Sequence, residues 1–231
     1  MQELYTQSQS GAITRSQEVS KVLRNTYTLL AMTLAFSALT AGISMALVKA
    51  GIIGSGISLL MSIGALVLVW FVLPRTANSA AGIWVVFGFT GLLGASLGPM
   101  LYYYLAIGAG NVIVQALGGT ALVFFALSGY VLTTGKDFSF MRGFLVTGLI
   151  ALIVVMVGSL VLSLFGVAVT GLSLAISGVA ILLFSGFILY DTSRIIHGGE
   201  TNYIMATTAL YLDVYNLFVH LLRILGSLSR N

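Results

Sequence analysis

Of the chain's 231 residues, 58% are hydrophobic and only 7% are Asp, Glu, Lys or Arg. A soluble domain carries about a quarter of its residues as charges, so this chain lacks the polar surface to stay dissolved and reads as an integral membrane protein. Cysteine is absent, which excludes disulfides, thiolate nucleophiles and cysteine-bound metals. The net charge of +4 comes from scattered cations rather than a basic run, so a lipid bilayer is the expected partner and nucleic acid is not.

Residues 1–24, MQELYTQSQSGAITRSQEVSKVLR, are rich in Gln, Ser and Thr and show no apolar periodicity. They read as a polar N-terminal tail, mobile or partly amphipathic, with no cleavable signal pattern. A seven-helix transmembrane domain is expected over 25–228. Its spans fall at 26–48, 52–73, 82–106, 111–133, 143–165, 171–193 and 203–225, each near the roughly 20 residues a bilayer crossing needs. Short connections make consecutive helices antiparallel. The tail and the second, fourth and sixth loops carry Arg15, Lys21, Arg24, Arg75, Lys136, Arg142 and Arg194, against Lys49, Arg223 and Arg230 on the other side. That asymmetry predicts a cytoplasmic N-terminus and an external C-terminus.

The third span contains GIWVVFGFTGLLGASLGPM, in which Gly88, Gly91, Gly94 and Gly98 share one face and invite close helix packing, within one bundle or between two. Pro99 removes a backbone donor and predicts a kink. Tyr102, Tyr103 and Tyr104 follow at the expected depth of an interfacial aromatic belt.

The sixth and seventh spans each carry an aspartate. Asp191 sits in FILYDTSRIIHGGETN, and Asp213 sits in LYLDVYNLF about ten residues into the next, antiparallel helix. At 1.5 Å per residue their depths differ by only several Å, so the carboxyl groups can meet. Two acids in one low-dielectric site do not both ionise easily and titrate as a unit, which makes them a candidate pH-sensing and gating pair. Asn216, His220 and Arg223 follow Asp213 at i+3, i+7 and i+10, within an arc of about 80°. Such a stripe must face protein or water, so the seventh helix is expected inside the bundle or lining a cavity. Arg75 and Arg194 are primarily topology determinants and secondarily possible ion-pair partners. The alternative role for Asp213 is a structural lock with His220, Arg223 or Arg75. His197 and Glu200 flank Gly198–Gly199, a pattern that fits a tight polar turn better than a metal site.

At these residues the chain resembles the Bax inhibitor-1 (transmembrane Bax inhibitor motif) family, in its bacterial YccA-like branch. The matching segments are KVLRNTY at 21–27, LGGTALVFF at 117–125, YVLTTGKDFSF at 130–140, and IIHGGETNYI at 195–204 with LYLDVYNLFV after it. The resemblance implies a seven-helix bundle with the last helix central, surrounded by the other six, in the bacterial inner membrane. It implies that Asp191 and Asp213 form the pH-sensitive latch of the family's calcium-leak members. It also implies an association with the membrane-anchored AAA+ protease FtsH, whose proteolysis the branch restrains.

Three functions follow. The first is a pH-gated cation leak, with Asp191 and Asp213 as weak, transient Ca²⁺ ligands, since two acids are too few for a tight site. The second is a modulator of FtsH engaging the N-terminal tail. The third is an intramembrane protease, using either the aspartate pair or the G-x-S-x-G match at Gly94–Gly98 with His220 as base. The glycines and Pro-Ala-Leu signature that aspartyl intramembrane proteases carry are absent, and a glycine-rich face produces G-x-S-x-G by chance, so a non-enzymatic role is expected.

Overall fold

A computed structural model describes residues 2–166 and 170–229, with side chains from 17 to 166 and 171 to 229. Seven helices are long and apolar enough to cross a membrane: α1 (Gln17–Lys49), α2 (Ser55–Thr76), α3 (Ala81–Ala106), α4 (Gly110–Thr134), α5 (Ser139–Leu164), α6 (Gly171–Ile196) and α7 (Tyr203–Leu228). No strand occurs among the described residues. The protein is an all-α membrane protein.

The seven expected spans all form helices, and the boundaries move by a few residues except at the first. There the helix runs unbroken over Gln2–Lys49, so the polar N-terminal segment continues α1 instead of forming a separate tail. Polarity alone does not end a helix: Gln, Glu, Lys and Arg are good helix formers, and no Pro interrupts the segment.

Pro99 interrupts its helix as expected, and Pro74 marks its own as well. In α3 the first segment stops at Ser96, Leu97 N closes a tight turn onto Gly94 O (3.1 Å), and the helix resumes at Gly98 with Pro99 in its first turn. In α2 the turn over Leu68–Val72 widens, and Leu73 N reaches back to Leu68 O just before Pro74. The wide turn relieves the proline ring's conflict with the preceding carbonyls.

The bundle is layered around α7, which packs against α6, α4, α1 and α3. In contrast, α2 lies outside on α3, and α5 lies outside on α6. The last helix is therefore central to four neighbours, not six. The glycine face of α3 is spent within the bundle. A side chain at Gly94 would strike the backbone of Ser37, and one at Gly98 would strike Ser44, so α1 lies directly on α3 there. Gly88 instead turns toward Leu68 of α2.

The aromatic belt needs one correction. Tyr103 is exposed, but Tyr104 is buried, with its ring over Gly226 and its hydroxyl donating to Leu222 O (3.2 Å). A helix that breaks at Leu97 re-aims the three tyrosines, and one of them points inward.

Candidate functional site

Asp191 lies five residues from the end of α6, and Asp213 lies ten residues into α7. The turn is tight because Gly198 takes a left-handed conformation (φ 73°) and Gly199 N and Glu200 N both return to Arg194 O (2.8 and 3.2 Å). It sends α7 back along α6. As the depth argument requires, the two carboxyl groups come within hydrogen-bonding reach of each other. Both residues are buried, at 8% and 4% exposure, and Asp213 Oδ2 has no hydrogen-bond donor among the described residues. Two facing carboxylates offer only acceptors, so the contact is satisfied when one proton lies between them.

A chain of charge-assisted bonds ties the pair to the surface. Arg194 Nη1 lies 3.4 Å from Asp191 Oδ1, and its Nη2 lies 3.1 Å from Glu200 Oε2. Glu200 Oε1 accepts from Asn202 N (3.0 Å). Asn202 caps α7, its Oδ1 accepting from Ile204 N (2.9 Å) and Met205 N (3.2 Å). The same side chain donates to Ala77 O (3.0 Å) and Asn78 Oδ1 (2.8 Å) in the α2–α3 turn. The chain of bonds links Asp191 to two loops on one face of the bundle.

Of the two candidate ion-pair partners, Arg194 pairs with an aspartate and Arg75 does not. Arg75 is exposed and donates to Phe71 O within its own helix. A cation at the end of α2 can satisfy its own helix's last carbonyls without crossing the bundle.

Of the two placements expected for the polar stripe of α7, inside the bundle or lining a cavity, His220 takes the first, against α6. His220 is 2% exposed, its Nδ1 lies 3.2 Å from Ser177 Oγ, and its ring stacks on Phe184. Asn216 is half-buried and bonds back to Leu212 O (2.8 Å), while Arg223 is exposed. None of these three pairs with Asp213, so the structural lock is not formed. The G-x-S-x-G match does not assemble either: Ser96 Oγ donates to Leu93 O (2.7 Å) and meets Tyr215 OH (3.3 Å), away from His220's partners on α6.

His197 and Glu200 also diverge. His197 Nδ1 lies 2.9 Å from Ser193 O, whereas Glu200 is held by Arg194 and Asn202 N. Among the described residues no cluster of three or more acids and histidines could hold a metal. Nearby, outside the spans, Asp137 Oδ1 accepts from Ser139 N (2.8 Å) and Ser193 Oγ (3.4 Å). These bonds, the backbone one foremost, hold its carboxyl below the ordinary value of 3.8.

The structure adds a residue the sequence reading passed over. Tyr211 is fully buried in the first half of α7 and joins three helices. Its hydroxyl lies 2.7 Å from Ser37 Oγ on α1 and 3.2 Å from Thr90 O on α3, and its ring meets Phe89 edge-on. The signal was available, since a tyrosine hydroxyl at mid-membrane depth must find a partner.

Comparison with known proteins places the chain. The model of the Bax1-I family, described as "Inhibitor of apoptosis-promoting Bax1", matches residues 19–230. The chain is 51% identical over 211 residues to the "Modulator of FtsH protease YccA" of Escherichia coli K12, covering 91% of this chain and 92% of that one. The "Inner membrane protein YccA" of Escherichia coli O6:H1 matches equally, at 51% over the same shares. A Vibrio cholerae "Uncharacterized membrane protein" is 47% identical over 225 residues, 97% of each chain.

Proposed function

The chain belongs to the Bax1-I family, and on that premise we propose that it is a pH-sensitive cation leak, with Ca²⁺ the preferred ion, gated by Asp191 and Asp213. The observation that carries this reading is the burial of two facing carboxyl groups across the α6–α7 contact, with Asp213 Oδ2 otherwise unpartnered. A shared proton holds the two helices together. Its loss leaves two like charges in a dry site, which either drive α7 from α6 or draw in a cation. Carboxylate oxygens suit a hard ion, and two of them bind it weakly enough to let it leave.

In this reading the protein lies in a bacterial inner membrane with its N-terminus cytoplasmic, which puts the α6–α7 turn and the Arg194–Glu200 chain on the cytoplasmic side. The test is Ca²⁺ entry into proteoliposomes from about pH 5.5 to about pH 8. Flux should rise with pH in the wild type. Flux no greater than that of empty liposomes at every pH would reject the leak.

A second reading is favoured by the comparisons: a modulator of FtsH, as the Escherichia coli relative of near-equal length is named. A relative at 51% identity over nine-tenths of both chains supports a shared partner. The N-terminal segment is the expected point of engagement. Deleting residues 2–16 should change FtsH turnover of a membrane substrate and leave Ca²⁺ flux alone. Unchanged turnover on deletion of the whole protein would end this reading. The two roles are compatible, because binding a protease leaves the α6–α7 contact free.

A further inference from the structure

The face of α7 opposite Asp213 is open to the side. Tyr211, Val214, Tyr215 and Phe218 recur at i, i+3, i+4 and i+7, about 180° from the Asp213–His220 stripe at 3.6 residues per turn. They form the floor of a cavity of about 480 Å³ whose walls are α1, from Tyr27 to Met45, and α4, from Ile113 to Phe125. Where these two helices draw apart, α7 is reached laterally from within the membrane-spanning layer.

We propose that this groove holds one acyl chain of an anionic phospholipid, with the lipid phosphate at Lys49. Three observations select this occupant. The walls are apolar, and the hydroxyls that do line them are already bonded inside the protein: Tyr27 to Ser128, Thr120 to Ala116 O, Ser37 to Thr90 O, Tyr211 to Ser37, and Tyr215 to Ser96. A polar ligand, water or an ion would find no partner there.

The size fits a chain and not a helix. Tyr27 to Met45 is about 27 Å of helix, close to a bilayer's hydrocarbon thickness. A second transmembrane helix of that length would need on the order of 2,000 Å³.

The third observation is direction. The Tyr27–Ser128 hydrogen bond bridges α1 and α4 and closes one end. At the other end the α1 row that lines the groove continues, one turn past Met45, to the exposed Lys49. None of the six acidic residues lies at that end of the bundle, as Glu3, Glu18, Asp137 and Glu200 belong to the opposite end and Asp191 and Asp213 to the interior. An uncompensated cation at a groove mouth favours a phosphate.

Hydrocarbon in this slot bears on the back of α7 and presses it toward α6. The lipid is therefore a structural wedge behind the aspartate contact, and its binding does not require that the pair conduct ions.

The full-length protein, reconstituted with phosphatidylglycerol bearing a diazirine at the tip of one acyl chain, is photolysed and mapped by peptide mass spectrometry. Labelling should saturate at one lipid per chain and fall on the peptides around Ala31–Ala41 and Val214–Phe218. Ala38→Trp and Ala121→Trp, which fill the slot from opposite walls, should each lower it about tenfold, and Lys49→Gln several-fold. Leu164→Trp on the outer face of α5 should leave it unchanged. Circular dichroism and melting of each variant identify any that fails to fold, and two fillings from separate helices keep the test open. Labelling that never saturates and matches that of α5 would overturn the proposal, as would recovery of a protein segment cross-linked in the groove from native membranes.

Discussion

Asp213→Asn should hold α7 against α6 at every pH, whereas the wild type should loosen as pH rises. At a hydrogen-bonding separation of about 3 Å and an effective dielectric near 20, two ionised carboxylates repel by about 5 kcal/mol. Arg194 offsets part of this on the Asp191 side, but its side chain is 32% exposed and its nearest nitrogen is 3.4 Å away. A screened pair of that kind contributes no more than about 1 kcal/mol. The remaining 4 kcal/mol or so approaches the roughly 5.5 kcal/mol that turns a 1:99 equilibrium into 99:1. Charging the pair is thus sufficient to make a rare opening common. Asparagine keeps the volume, cannot ionise, and donates an N–H to Asp191 where the shared proton lay. Hydrogen exchange of the α7 amides in nanodiscs, corrected for the intrinsic pH dependence of exchange, reads the opening directly. Wild-type protection over residues 207–218 should fall about a thousandfold between about pH 5.5 and pH 8, and the variant's should stay flat. The same pH profile in both proteins would refute the latch, because nothing else that titrates would then have been removed.

Three further outcomes follow from the packing. Tyr211→Phe should cost only about 0.6 kcal/mol in unfolding measurements, since Ser37 Oγ still donates to Thr90 O (2.7 Å) when the phenol is gone. Gly94→Leu should destabilise by about 3 kcal/mol, because the obstructing atoms are the backbone of Ser37, while Gly118→Leu, which meets nothing within 4 Å, should melt with the wild type. Asp137 anchors the start of α5 and the end of α6 with a carboxyl held below 3.8, so its contribution is present above that pH and lost as pH falls through the lowered value. Asp137→Asn should make exchange of the Ser139 amide, corrected as above, insensitive to acid where the wild type's rises.

The bundle was legible because each span is an uninterrupted apolar run and each connection is short, so the chain's order dictates its antiparallel neighbours. The aspartate contact was legible for the same reason: one tight Gly-Gly turn fixes the relative depth of Asp191 and Asp213. What failed were inferences that needed to know which way a helix face turns. Of the two placements expected for the stripe after Asp213, the one inside the bundle holds for Asp213 and His220, but Arg223 lies exposed at the helix end. Tyr104 was placed in a belt because its neighbours belong there, yet the break at Leu97 points it at Gly226. Continuation of α1 back to Gln2 was hidden because hydropathy reports solvent, not backbone conformation.

The central helix therefore combines two demands that its sequence meets on opposite faces. Toward α6 it carries Asp213 and His220, where the partners are the Asp191 carboxyl and the Ser177 hydroxyl. Toward α1, α3 and α4 it carries Tyr211, Val214 and Phe218, where the contact depends on shape and on whatever hydrocarbon fills the gap. On that second face Tyr211 is pinned, its ring in the apolar layer and its hydroxyl fixed to α1 and α3. Any rotation of α7 that separates the aspartates must break that hydroxyl's bonds or pivot about them. Pivoting is the less costly course, because the bonds leave the ring's axis free while a break would strand a buried phenol. Motion on loss of the proton should then be largest at the two ends of α7 and smallest at Tyr211. Spin-label distances from single cysteines along α7 to one on α3, made simple by a chain with no cysteine of its own, should show that gradient. Equal displacement at all depths would mean that α7 slides as a rod, and the tyrosine would not be its pivot.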